Sequence, residues 1–216
     1  MKEKQAGLDT LKDIKQMMER SSRFISLSGL SGIAAGICGL VGAWFAYQVI
    51  GNTMHVRFQS FDYNSVTIKK FMGYRLFTIA VFTLVSAIAV AFLFTWWNSK
   101  KNNISLWGST SKRLAVNFLI PLIAGGIFLL RLIALEYFGL IAPGCLIFYG
   151  IALVNASKYT LGEVRYLGYG QIILGLINCW FLGSGLLFWT LGFGVLHIVY
   201  GAVMWWKYER KDHAAN

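Results

Sequence analysis

The sequence predicts an all-α integral membrane protein, a six-helix bundle with an amphipathic interfacial helix at its N-terminus. Three observations carry this fold class. Of 216 residues, 56% are hydrophobic and only 13% charged, against roughly 25% charged in a soluble domain. The mean hydropathy is +0.57. The apolar residues fall into six runs, most of them close to the ~20 residues a helix needs to cross hydrocarbon. No segment between the runs is long enough for a soluble domain. The net charge of +11 would suit a nucleic-acid binder, but the cations sit in clusters between apolar runs, which is a topological pattern and excludes that class.

Taken in order, residues 1–24 are polar and mixed in charge. Leu8, Leu11, Ile14, Met17 and Met18 recur at helical spacing, with Lys12, Asp13, Lys15, Glu19 and Arg20 on the other side. This pattern predicts a helix lying on the inner membrane surface, its basic residues toward anionic headgroups. The charged stretch is too long for a signal peptide and no cleavage site is evident. The next apolar run therefore stays as a span.

The transmembrane domain is expected over 25–206, with spans at about 25–50, 76–97, 114–134, 141–157, 167–182 and 186–206, and a tail at 207–216. Span one carries Gly29, Gly32, Gly36 and Gly39 as one stripe. Glycine lets a second backbone approach closely. The stripe predicts tight packing against a neighbouring helix, and it offers a face through which copies of the chain would form a homo-oligomer. Residues 51–70 are expected as the longest loop, although the second helix is expected to begin near Val66 and project from the bilayer. In span three, Pro121 removes a backbone hydrogen bond, frees the carbonyl of Asn117 and predicts a kink. A tight turn around Gly183, Ser184 and Gly185 joins spans five and six.

Charge fixes an orientation. With both termini cytoplasmic, 15 of the 20 Lys and Arg fall on the inner side, as the positive-inside rule requires. Trp96, Trp97, Trp205 and Trp206 then form an inner aromatic belt, with Trp44, Tyr47, Tyr137 and Trp180 near the outer one.

Beyond small hydroxyls, the polar residues inside spans are Asn117, Arg131, Asn155, Gln171, Asn178 and His197. Hydrocarbon penalises such groups, so each is a candidate site. Gly168, Gln171, Gly175 and Asn178 share one face of span five, and Thr190, Gly194, His197 and Gly201 share one face of span six. Counted from the inner ends of this antiparallel pair, Gln171 falls opposite Gly201, Gly175 opposite His197 and Asn178 opposite Gly194. This predicts a polar seam between the spans, read as interhelical hydrogen bonding or as a ligand site. Asn117 and Arg131 are further candidates, with Arg131 near the outer end of span three as an anchor or an anion contact.

Catalytic constellations are not expected. Gly29-Leu30-Ser31-Gly32 matches the GxSG pattern around the serine of rhomboid intramembrane proteases, and His197 lies in the sixth span. Those proteases place the serine in their fourth core span, whereas Ser31 lies in the first. Three histidines, His55, His197 and His213, are too few for a histidine-rich metal centre. Cys38, Cys145 and Cys179 lie in apolar runs without ligand spacing. No nucleotide-binding glycine motif occurs. Neither a cofactor nor a metal is expected.

Ser21-Ser22-Arg23-Phe24 leading into SLSGLSGIAAG, together with ASKYTLGEVRYLGYGQ, resembles a group of small six-span bacterial inner-membrane proteins without a known activity. The resemblance implies a bacterial inner membrane and no reaction. The functional expectation is a non-enzymatic membrane protein that senses, binds or scaffolds. The alternatives are a small-solute transporter or channel working as a homo-oligomer and, behind that, an enzyme acting on lipid. Its expected partner is the lipid bilayer.

Overall fold

The computed structural model describes residues 29–59, 65–101 and 108–209. The predicted interfacial helix within 1–24 and most of the tail at 207–216 lie outside the described residues. Every long element is helical: α1 Gly29–Gln59, α2 Ser65–Lys101, α3 Ser109–Ala134, α4 Ile141–Ala156 and α5 Val164–Trp180. A sixth, composite helix comes next. It consists of α6 Gly185–Trp189, a π-helical stretch Thr190–Leu196, α7 His197–Met204 and a second π-helical stretch Trp205–Glu209.

Among the described residues, five helical segments are long and apolar enough to cross a membrane. The remaining helix, α5, has 17 residues, about 25 Å at 1.5 Å per residue. The expected long loop at 51–70 is largely replaced by helix. With 31 and 37 residues, α1 and α2 run about 46 and 55 Å, well beyond the ~30 Å of a hydrocarbon core. α2 begins at Ser65, next to the expected Val66.

The helices pack in an order set by their small residues. α4 and α5 form the tightest pair, and α4 also carries α3 on its other side. The composite helix lies against α4 and α5 and is flanked by α1, which in turn carries α2. α2 therefore touches the bundle mainly through α1, where the Thr83 side chain fills the space beside Gly42. Its remaining surface is apolar and exposed: Phe82, Val85, Ile88 and Leu93 all face outward.

The glycine stripe of α1 has a partner within its own chain. A Cβ on Gly29 would come 2.6 Å from the Gly201 carbonyl oxygen, one on Gly36 2.8 Å from the Gly194 carbonyl oxygen, and one on Gly39 2.5 Å from that of Phe193. Gly32 faces the Gly201 Cα. The face that the sequence offers to a second copy is thus filled by the composite helix, because glycines on both sides let the two backbones meet.

α3 continues through Pro121. It closes with two reverse bonds, Tyr137 N–H to the Leu132 carbonyl at 2.9 Å and Glu136 N–H to the Ile133 carbonyl at 3.0 Å. Glu136 occupies the left-handed position at φ 62° that this closure demands and that glycine usually takes. The apolar core at the α5 N-terminal end gathers Leu153, Leu161, Val164, Leu167 and Met204.

Candidate functional site

The site is built from α4, α5 and the π-helical stretch. The buried face of α5 is Val164, Leu167, Gly168, Gln171, Gly175 and Asn178, at the helical repeat of 3.6 residues. Its glycines face α4. A Cβ on Gly168 would lie 2.8 Å from the Gly150 carbonyl oxygen, and one on Gly175 3.0 Å from that of Pro143. Gln171, fully buried, reaches the other way, toward the composite helix.

There it meets Gly192. The Gln171 Nε2 donates to the Gly192 carbonyl at 2.8 Å, and the His197 Nδ1 lies 3.0 Å from the same oxygen. A carbonyl only accepts, so Nδ1 carries the imidazole proton and Nε2 keeps its lone pair. The Tyr149 hydroxyl, 2.8 Å from Nε2, therefore donates to it. In this tautomer the 3.4 Å approach of Gln171 Nε2 to Nδ1 is two donors side by side, converging on one carbonyl, and not a bond between them. The Tyr149 ring lies tilted against Phe193 and stacked on His197, with centroids at 5.2 and 5.5 Å. Phe118 of α3 meets the same ring edge-on.

The π-helical stretch has a reason at this point. A π turn widens the helix and disturbs the ordinary ladder of bonds. Gly192, without a side chain, lets Leu146 and the Gln171 Oε1 pack directly against it. The His197 ring then reaches back five positions along its own helix to the Gly192 carbonyl. With both ring nitrogens engaged, the imidazole has no lone pair left for a metal or for a serine. Its bonds go to Tyr149 and Gly192, and none goes to Ser31.

The predicted residues separate into four places. Gln171 and His197 come together. Asn178 is fully buried on the same face of α5, but its Nδ2 donates to the carbonyl of Phe181, just past the end of its own helix, at 3.0 Å, so it closes α5 and does not bridge to Gly194. The expected pairing of Gln171 with Gly201 gives way to Gln171 with Gly192, and Gly201 faces Ile33 and Gly29 of α1.

Asn117 lies apart from this cluster, between α3 and α4. The carbonyl that Pro121 frees is taken by the Asn155 Nδ2 at 2.9 Å, while the Asn117 side chain donates to the Arg113 carbonyl at 2.8 Å. Arg131 is exposed in the last turn of α3 and takes no part in the cluster. At the opposite end, Lys207 pairs with Glu163, tying the end of the composite helix to the start of α5.

Sequence reasoning missed Tyr149. The available signal was a phenol in the middle of an apolar span, where a hydroxyl must find a partner. No protein-family model, curated protein or solved structure matches the chain.

Proposed function

We propose that this chain is a non-enzymatic, multi-pass protein of a bacterial inner membrane that binds or scaffolds within the bilayer, with Tyr149, Gln171 and His197 serving as a clasp. The observation that carries this reading is the use of both His197 nitrogens by groups of the protein itself. A metal-binding imidazole keeps a lone pair for its ligand and a catalytic one bonds a nucleophile or substrate, whereas this one bonds a phenol and a backbone carbonyl and joins α4 to the π-helical stretch. Interhelical bonds of this kind contribute roughly 0.6 kcal/mol on average and up to about 1.7 kcal/mol.

The test is His197→Leu in lipid nanodiscs. The clasp requires a lowered melting temperature. A variant as stable as the parent would overturn the reading.

Both termini are placed in the cytoplasm, supported by the distribution of Lys and Arg. The exposure of Trp44, Tyr47, Tyr137 and Trp180 at one end and of Trp96, Trp97 and Trp206 at the other fits two aromatic belts. Cysteines introduced at 52–64 should react with an impermeant reagent added outside, and those at 102–110 should not. Equal reaction of both sets refutes the orientation.

A small-solute transporter is the second reading. It is favoured by one observation, the two buried amide oxygens of α5 that no donor among the described residues reaches.

A further inference from the structure

We infer that the buried face of α5 holds internal water, one molecule at the Gln171 Oε1 and one at the Asn178 Oδ1. Both side chains are fully buried, and among the described residues no donor reaches either oxygen. The amides cannot resolve this by flipping. Turning Gln171 would point its oxygen at the Gly192 carbonyl, 2.8 Å away, and turning Asn178 would point its oxygen at the Phe181 carbonyl, 3.0 Å away. Buried polar atoms are almost always satisfied, and an orphan marks a bound water or ion.

The chemistry selects water. Two acceptors call for a donor, which excludes an anion. A metal cation would lie deep in an apolar bundle without a counter-charge, since α4 and α5 contain no Asp or Glu and none occurs from 185 to 208. Beside Gly192 the Gln171 Oε1 packs next to Leu146, 2.5 and 2.3 Å respectively from the position a Cβ would take, which makes Leu146 the side chain that reports on this oxygen. Gln171 and Asn178 are two turns apart, about 10.5 Å along α5, so the two waters lie at different depths on one polar line.

The inference goes beyond the clasp and does not depend on it. The test is radiolytic labelling of the full chain in nanodiscs in ¹⁸O-water, read by peptide mass spectrometry. Hydroxyl radicals formed from a bound water mark the side chain beside it. Leu146 is fully buried next to Gln171, whereas Leu153, also buried on α4, lies in the apolar core. Leu146 should take up label several-fold faster than Leu153. Gln171→Leu, where it retains a melting transition, should bring Leu146 down to the Leu153 rate. Equal labelling of the two leucines in the parent protein overturns the inference, whatever the variant does. The clasp is read separately, by the melting temperature of His197→Leu, so either idea can fail without the other.

Discussion

Gly201→Ala tests the packing of α1 on the composite helix with the smallest perturbation available, a single methyl group. The added Cβ would lie 2.5 Å from the Ile33 nitrogen and 2.6 Å from the Gly29 carbonyl oxygen. Both are backbone atoms, so no side chain can swing aside, and ordinary contact requires the two helices to separate by about 1 Å. Overpacking of this kind costs about 1–3 kcal/mol, because separation also weakens dispersion contacts along the interface. Alanine is otherwise the better helix former by up to about 1 kcal/mol, and that gain must be removed from the comparison. Gly126→Ala provides the control. Gly126 lies inside α3, and nothing comes within 4 Å of a Cβ placed there. Thermal unfolding of both variants in nanodiscs should show Gly201→Ala less stable than Gly126→Ala by about 1–3 kcal/mol. Equal stability would mean that the α1 stripe does not hold the composite helix, and the reasoning would fail.

The hydrogen bonds set further expectations. Tyr149→Phe leaves the His197 Nε2 without its donor, and it should lower stability by about 0.5–2 kcal/mol. In a double-mutant cycle with His197→Leu the two losses should not add; additive losses would sink the Tyr149–His197 bond. Asn155→Leu removes the donor to the Asn117 carbonyl, at a cost of about 1 kcal/mol. That cost should shrink in a Pro121→Ala background, where residue 121 regains an N–H for the same carbonyl; an unchanged cost there counts against the assignment. Deleting residues 1–20 should leave the bundle inserted and folded, as judged by extraction and melting, and loss of insertion would contradict a purely interfacial N-terminus.

The six helical runs were legible because hydrocarbon imposes one rule on every stretch of twenty residues, and local composition reveals it. The same holds for the carbonyl freed by Pro121, which stems from a missing N–H and needs no tertiary knowledge. Partner choice was not local. The Gly29–Gly39 stripe announces a close backbone contact but carries nothing that distinguishes a second copy from the composite helix of its own chain. Register was misplaced for a geometric reason. Counting from the inner ends treats two antiparallel helices as equal in length, yet α5 stops at Trp180 and a short 3₁₀ turn over Leu182–Ser184 starts the return at once. The turn, and not the ends, sets which residues meet, and that brings Gln171 to Gly192. The π-helical stretch had no signal in the sequence at all. Thr190–Leu196 reads as ordinary helix, and its wider turn accompanies bonds to residues far away in the chain: Gln171 on α5 and, through His197, Tyr149 on α4. A glycine opposite a buried glutamine was visible. The structure adds that Gly192 contributes its carbonyl as much as its missing side chain. That carbonyl is the acceptor on which the Gln171 and His197 donors converge. An alanine at 192 would retain the carbonyl, but its methyl would force the ends of the Leu146 and Gln171 side chains to shift. The clasp therefore depends on glycine's small volume to expose a polar backbone atom inside an apolar bundle.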